Sequence, residues 1–211
     1  MSTGGFGPDE LQQLTNVSRE TFARLKIFVG LLEEWNQRHN LVSRSSLADV
    51  WRRHVFDSAQ LLDFIPAKAE NLIDLGSGAG FPGMVLASLL SDRRRFRAVF
   101  YEATRKKCDF LAAAAERIGV AVEVRNARIE DAPPEIFDVV TARACAPLPR
   151  LLLYAARFQG LTTRNLFLKG QNVVAELTEA YKSWKMRAER HPSRSDPSGS
   201  ILVIEGLHRA G

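Results

Sequence analysis

Hydrophobic positions along the first third of the chain repeat at helical spacing. Leu25, Phe28, Leu32 and Trp35 recur three and four residues apart, so the pattern from Asp9 onward predicts a leading helical segment, closed by Asn40. Ser46-Leu-Ala-Asp49 reads as a capping box, and Trp51, Val55, Ala59 and Leu62 behind it predict a second amphipathic helix that runs to Phe64 and ends at Pro66. After Asn71 the texture changes. NLIDL, PGMVLASLL, AVFYE, RKKCDFLAAAAERIG and VAVEVRN alternate short apolar runs with helical ones, a β-α-β-α-β series. It continues through FDVVTAR, the helical PLPRLLLYAARF, the strand-like NLFLKG and a helix from about Val173 to Arg190. The expected architecture is α/β, a parallel sheet with helices on both faces over residues 69–211, preceded by a helical N-terminal extension over residues 1–68. The turn-rich HPSRSDPSGS then leads into ILVIEGL, a last strand reached by too short a connection to be parallel, hence antiparallel.

Composition narrows the setting. At 211 residues and 45% hydrophobic, the chain can bury a full core without disulfides. Its two cysteines, Cys108 and Cys145, lack metal-ligand spacing and read as reduced thiols in a cytoplasmic protein, so no metal is expected. MSTGGFGPDE has neither the basic nor the apolar region of a leader, and LLLYAARF falls far short of the about 18 apolar residues of a membrane span. A formal charge of +5 is compatible with a nucleic-acid partner without requiring one.

IDLGSGAGFPG, Ile73 to Gly83, occupies the first strand-to-helix turn, where open parallel sheets cradle ligands. Gly76, Gly78 and Gly80 permit positive φ or close approach of a ligand, and Pro82 suits the first turn of the following helix. The spacing fits two cofactors. Gly76-x-Gly78-x-Gly80 matches the methyltransferase pattern and Gly78-x-Gly80-x-x-Gly83 the dinucleotide fingerprint; because the strand ends at Leu75, the first register is favoured. Glu102 closes the second strand, where a carboxylate can accept both hydrogens of a ribose diol, and Ile129-Glu130 after the third strand pairs an apolar surface for adenine with an acceptor for its amine.

With these segments assembled, the sequence resembles the bacterial small-subunit ribosomal RNA guanine-N7 methyltransferases, the RsmG or GidB family. The segments that carry the resemblance are EEWNQRHNLVS, WRRHVFDSAQLL, IDLGSGAGFPG, EATRKKCDFL, VEVRNARIED, FDVVTARACAPLPRLL and LFLKG, in the family's order. It implies a class I S-adenosylmethionine-dependent methyltransferase fold, Rossmann-like with a mostly parallel seven-stranded sheet. The implied reaction is methylation of guanine N7 in the 530 loop of 16S rRNA, at guanine 527 in standard rRNA numbering. The implied partner is 16S rRNA or the small subunit, met by a monomer. Gly76, Phe81, Ile129, Glu130 and Arg143 would contact the cofactor, joined by Asp74 and Glu102, and Gly78 of the turn is expected beside them. Cys145 and the GLTTRN turn depart from the family's usual residues.

Guanine N7 carries a lone pair and needs no general base, so the expected catalysis is positioning and electrostatics. Arg143 and Lys169, at the ends of the fourth and fifth strands, are the candidates for it. His54, Asp57 and Ser58 lie on one helix, too close in sequence for a hydrolytic triad; His54 is expected to hydrogen-bond Asp57. Cys145 is expected to be a packed thiol. Of the basic residues, Arg105, Lys106 and Arg150 are the expected RNA contacts, in preference to Arg93-Arg94-Arg95 on the far side of the sheet. Two rival readings remain at this stage, a nicotinamide-dependent oxidoreductase and a non-catalytic RNA-binding or cofactor-sensing protein.

Overall fold

The computed structural model describes residues 6–15 and 17–210. Half of the MSTGGFGPDE stretch therefore lies outside the described residues. Seven strands form one sheet in the order β3-β2-β1-β4-β5-β7-β6. β1 (Asn71–Leu75) lies between β2 (Arg97–Glu102) and β4 (Val139–Arg143), with β3 (Val122–Asn126) beyond β2 and β5 (Arg164–Lys169) beyond β4. These five pair in parallel, whereas β7 (Ser200–Arg209) runs antiparallel to β5 and to β6 (Trp184–Pro192). The chain leaves β1 toward β2 and β3 and returns on the other side at β4. A crevice therefore opens beyond the carboxyl ends of β1 and β4, where sheets of this kind bind ligands.

Alternation along each strand assigns the two faces. Ile73, Leu75, Val140, Ala142 and Phe167 point toward α7 (Leu148–Ala155) and α8 (Val173–Ala180). On the opposite face, Ala98 and Phe100 meet α2 (Arg19–His39), α5 (Gly83–Leu89) and α6 (Arg105–Ile118). The apolar stripe read from the sequence is what docks α2: Leu25, Phe28 and Leu32 are fully buried, and the Phe28 ring lies 5.3 Å from Phe81 and 6.1 Å from Phe110. The short α1 (Pro8–Leu14) adds Leu11 to the same core. Asn40 ends α2 in the left-handed conformation, φ 45°, as an asparagine tolerates.

Two expectations about elements are corrected. The helix from Val173 stops at Ala180, and Trp184–Pro192 is a strand. WKMRAERHP alternates strictly at its start, with Trp184 buried, Met186 and Ala188 packed on the core and Lys185, Arg187 and Glu189 exposed, so pairing with β7 satisfies both faces where a helix would not. The cap of the next helical segment is Ser43, not Ser46. Ser43 Oγ accepts the Ser46 N–H at 3.1 Å to open the single turn α3 (Arg44–Leu47). The run to Phe64 then changes register, π-helical over Trp51–Phe56, one α turn α4 (Asp57–Ala59) and 3-10 over Gln60–Phe64. A π-helical turn widens the helix and re-aims its side chains, and such turns are frequent at functional sites. Here it carries Arg53 and His54.

Candidate functional site

The glycine turn is bare for two different reasons. Gly76, Gly78 and Gly80 all have positive φ, +68°, +57° and +89°, conformations costly for other residues. Their surroundings differ. A Cβ on Gly80 would lie 3.0 to 3.2 Å from Met84, Phe28 and Leu111, and one on Gly83 would lie 2.7 Å from Asp74 and from Phe100, so both are required by the protein's own packing. A Cβ on Gly78 would meet nothing nearer than 3.8 Å; one on Gly76 would meet the Cys145 thiol at 2.9 Å. Of the turn's glycines, Gly76 and Gly78 line the cleft and Gly80 and Gly83 do not, which disfavours the dinucleotide register, in which Gly80 would approach the ligand.

That cleft, about 740 Å³, runs from the glycine turn past Arg143 and Lys169 to the π-helical turn and the loop after β6. Phe81 lies on its floor, 3% exposed, with the His54 ring stacked on it at 4.8 Å and the Arg143 guanidinium over it at 5.3 Å. Pro82 precedes α5 as its cap and does not form the first helical residue. Asp74 is not at the surface of the cleft. It lies fully buried beneath the turn, where Oδ1 accepts from Thr141 Oγ1 at 2.8 Å and Oδ2 from the Gly83 N–H at 3.2 Å; burial raises its carboxyl to about 6 against those bonds. Its place is that of a brace for the turn.

Glu102 ends β2 beside the turn and accepts the Gly78 N–H at 2.9 Å and the Thr104 N–H at 2.7 Å. Ile129 is buried against the α7 face, and the neighbouring Glu130 accepts from Tyr154 Oη at 2.7 Å and Arg150 at 3.1 Å, which hold its carboxyl below the usual range. Burial pushes the Cys145 thiol up to about 11, and the carboxylates of Asp74, Glu102 and Glu130 add to the rise. Cys145 lies against Gly76, and its thiol is protonated at neutral pH.

Arg143 and Lys169 leave opposite faces of the sheet at the ends of β4 and β5, and both line the cleft. Arg143 donates to the Arg53 carbonyl at 2.9 Å and lies 3.7 Å from Asp57 Oδ2; burial lowers its proton affinity. Lys169 Nζ lies 2.6 Å from Glu176 Oε2 and donates to the Ala146 carbonyl at 3.1 Å. The expected bond between His54 and Asp57 is absent. Neither ring nitrogen of His54 has a partner among the described residues, and its pKa falls to about 3 through burial first, then Arg143 and Arg53. Asp57 instead accepts from Ser195 Oγ at 2.5 Å and Gln60 Nε2 at 2.9 Å, tying the helical run to the loop after β6. Gln60, Tyr154, Glu176, Ser193 and Ser195 carry no motif; polar singletons on separate elements give no signal in one sequence.

The expected RNA contacts are differently disposed. Arg105 pairs with Asp109 at 2.8 Å and Arg150 with Glu130, whereas Lys106 is exposed and makes no ion pair among the described residues. Arg93-Arg94-Arg95 precede β2, at the opposite edge of the sheet.

A family model described as rRNA small subunit methyltransferase G matches residues 21–197. The chain is 48% identical over 202 residues to ribosomal RNA small subunit methyltransferase G of Parvibaculum lavamentivorans, covering 95% of this chain and 89% of that protein. It is likewise 48% identical over 194 residues to the protein of that name from Rhodospirillum rubrum, covering 92% and 94%. In fold it is similar to an O-methyltransferase from Bacillus cereus, solved in complex with SAH, with TM-score 0.58 at 19% identity, covering 85% of this chain and 90% of that one. A ribosomal protein L11 methylase from Lactobacillus delbrueckii gives TM-score 0.56 at 13% identity, covering 74% and 78%. The chain belongs to the rRNA small subunit methyltransferase G family, on the class I methyltransferase fold.

Proposed function

We propose that this chain transfers a methyl group from S-adenosylmethionine to N7 of a guanine in the 530 loop of 16S rRNA, guanine 527 in standard numbering. Family membership supports small-subunit rRNA methylation. The observation that favours N7 is the state of three titratable groups, His54 and Asp57 in the cleft and Cys145 behind Gly76. His54 has low proton affinity and buried nitrogens, Asp57 Oδ1 is occupied by Ser195 and Gln60, and Cys145 is a protonated thiol. A nitrogen with a free lone pair is the acceptor that such a cleft can serve, because no proton has to be removed before attack. A Cys145 thiolate attacking a pyrimidine ring is disfavoured by the same argument.

The residues around the turn fit the cofactor. Open space over Gly78 admits close approach, the Glu102 carboxylate suits a ribose diol, and Ile129 with Glu130 suits an adenine face and its amine. When bound, S-adenosylmethionine supplies an electrophilic methyl group on a cationic sulfur. Arg143, held over Phe81 by Arg53 and Asp57, is the group to orient guanine O6 or the methionine carboxylate, since a fixed guanidinium presents donors in one plane. Lys169, paired with Glu176, is a second cation lining the same cleft.

Calorimetry with S-adenosylhomocysteine and with NAD tests the cofactor, and methyl transfer to unmethylated small subunits and to their extracted rRNA tests the reaction. Binding of the first ligand alone and 7-methylguanine as product are expected; Arg143→Ala should lower kcat/KM by at least about 100-fold, the loss of one preorganised electrostatic contact. Binding of NAD, a methyl group on another atom, or full activity in Arg143→Ala and Lys169→Ala would each contradict the proposal.

A further inference from the structure

Four cations line the cleft, and they fall into two kinds. Arg143 and Lys169 are mostly buried and are held against Asp57 and Glu176. Arg53 and Lys107 make no ion pair or side-chain hydrogen bond among the described residues; Arg53 is exposed and Lys107 half-buried. They come from different walls, Arg53 from the π-helical turn and Lys107 from the first turn of α6.

Both positions break a local preference. The first turn of α6 holds Arg105, Lys106 and Lys107 and no acid, although the positive end of a helix dipole favours acids. Arg105 is relieved by Asp109, one turn on, and Lys107 by nothing in the described chain. Arg53 adds its charge beside Arg143 and depresses protonation of both Arg143 and His54, so like charges crowd this end of the cleft. Asp196, the nearest acid of the loop after β6 to feel Arg53, spends its carboxylate on Ser198. Residues kept against local electrostatics point to a ligand that completes them.

The chemistry of the substrate says what that ligand is. In duplex RNA, guanine N7 lies in a deep, narrow major groove, so a base methylated inside a cleft must be unpaired or turned out of its stack. Its base then enters while its own backbone stays at the rim. We propose that Arg53 and Lys107 form a phosphate clamp for the target nucleotide, one from each wall, gripping the RNA backbone on either side of the base that enters. The inference rests on the rRNA methylation reading and deepens it.

The test is binding of unmethylated small subunits, and of rRNA extracted from them, to wild type, Arg53→Gln, Lys107→Gln, the double variant and Arg94→Gln, each across a salt series. Each clamp substitution should make the plot of log affinity against log salt shallower by about 0.7 to 1, and the double variant should bind about tenfold more weakly near 0.15 M salt. A cooperative melting transition within a few degrees of wild type shows that the variants fold. Arg94, at the far edge of the sheet, should keep the wild-type slope. If wild type binds both substrates and the double variant retains its affinity and slope, the clamp is wrong while the function stands. If wild type binds neither, the function and the clamp fall together.

Discussion

At His54, an imidazole buried beside two guanidinium groups makes stability depend on acid. In the folded protein the ring stays neutral down to about 3, whereas in the unfolded chain it takes a proton near 6.5. Its contribution is full above pH 6.5 and is lost as pH falls from 6.5 toward 3, by about 2 kcal/mol at pH 5. Asp74 acts in the opposite sense: its raised carboxyl stabilises the fold below pH 3.8, and that gain is lost as pH rises through about 6. Comparing wild type with His54→Phe separates the two. Urea unfolding at pH 7 and pH 5 should show wild type losing about 2 kcal/mol more than the variant, which keeps an aromatic ring on Phe81; equal losses would refute the buried neutral state. The glycines give a second residue-scale prediction. Gly80→Ala meets three core side chains and should melt several degrees below Gly78→Ala, which adds a methyl only to open space. Gly78→Ala should fold and lose cofactor affinity; a well-bound cofactor there would show that Gly78 does not face the ligand. The sequence marked the turn, Glu102 and Arg143 plainly, because glycine spacing and strand ends are local features. Which glycine faces the cleft and which the core depends on Phe28 and Leu111, far away in the chain.

At the level of elements, periodicity was readable wherever an element buries one continuous stripe or a whole strand. β1, β2, β4 and β5 are apolar enough to be recognised, as are α2 and α6. β6 was not, because WKMRAERHP follows a genuine helix with only Tyr181–Ser183 between them, and its polar face is paired only once β7 is in place. The loop after β6 is likewise set at a distance. Asp57 and Gln60 hold Ser193, Arg194 and Ser195, with the Arg194 N–H donating to Gln60 Oε1 at 3.0 Å, and Arg52 donates to the Ser195 carbonyl at 2.9 Å. This polar seam fixes one wall of the cleft. Asp57→Ala leaves Ser195, Gln60 and Arg143 with a lost partner and should destabilise the protein by about 3 kcal/mol, with amide exchange rising first over residues 193–199. Uniform protection across that loop in the variant would mean that the seam does not hold it.

For the molecule as a whole, strand order is what turns scattered residues into one site. The reversal between β1 and β4 brings the glycine turn, the ends of β4 and β5 and the helical run before β1 around a single crevice, and α2 braces that turn through Phe28 and Phe81. The resulting cleft holds Arg143 and Lys169 against acids and keeps His54 neutral, a composition suited to holding a nucleophile that needs no activation. Mapping 7-methylguanine in 16S rRNA from a strain lacking this protein reads activity, base and position together. The modification at guanine 527 should disappear on deletion and return with the wild-type chain but not with Arg143→Ala. Full 7-methylguanine at that nucleotide in the deletion strain would contradict the proposed function.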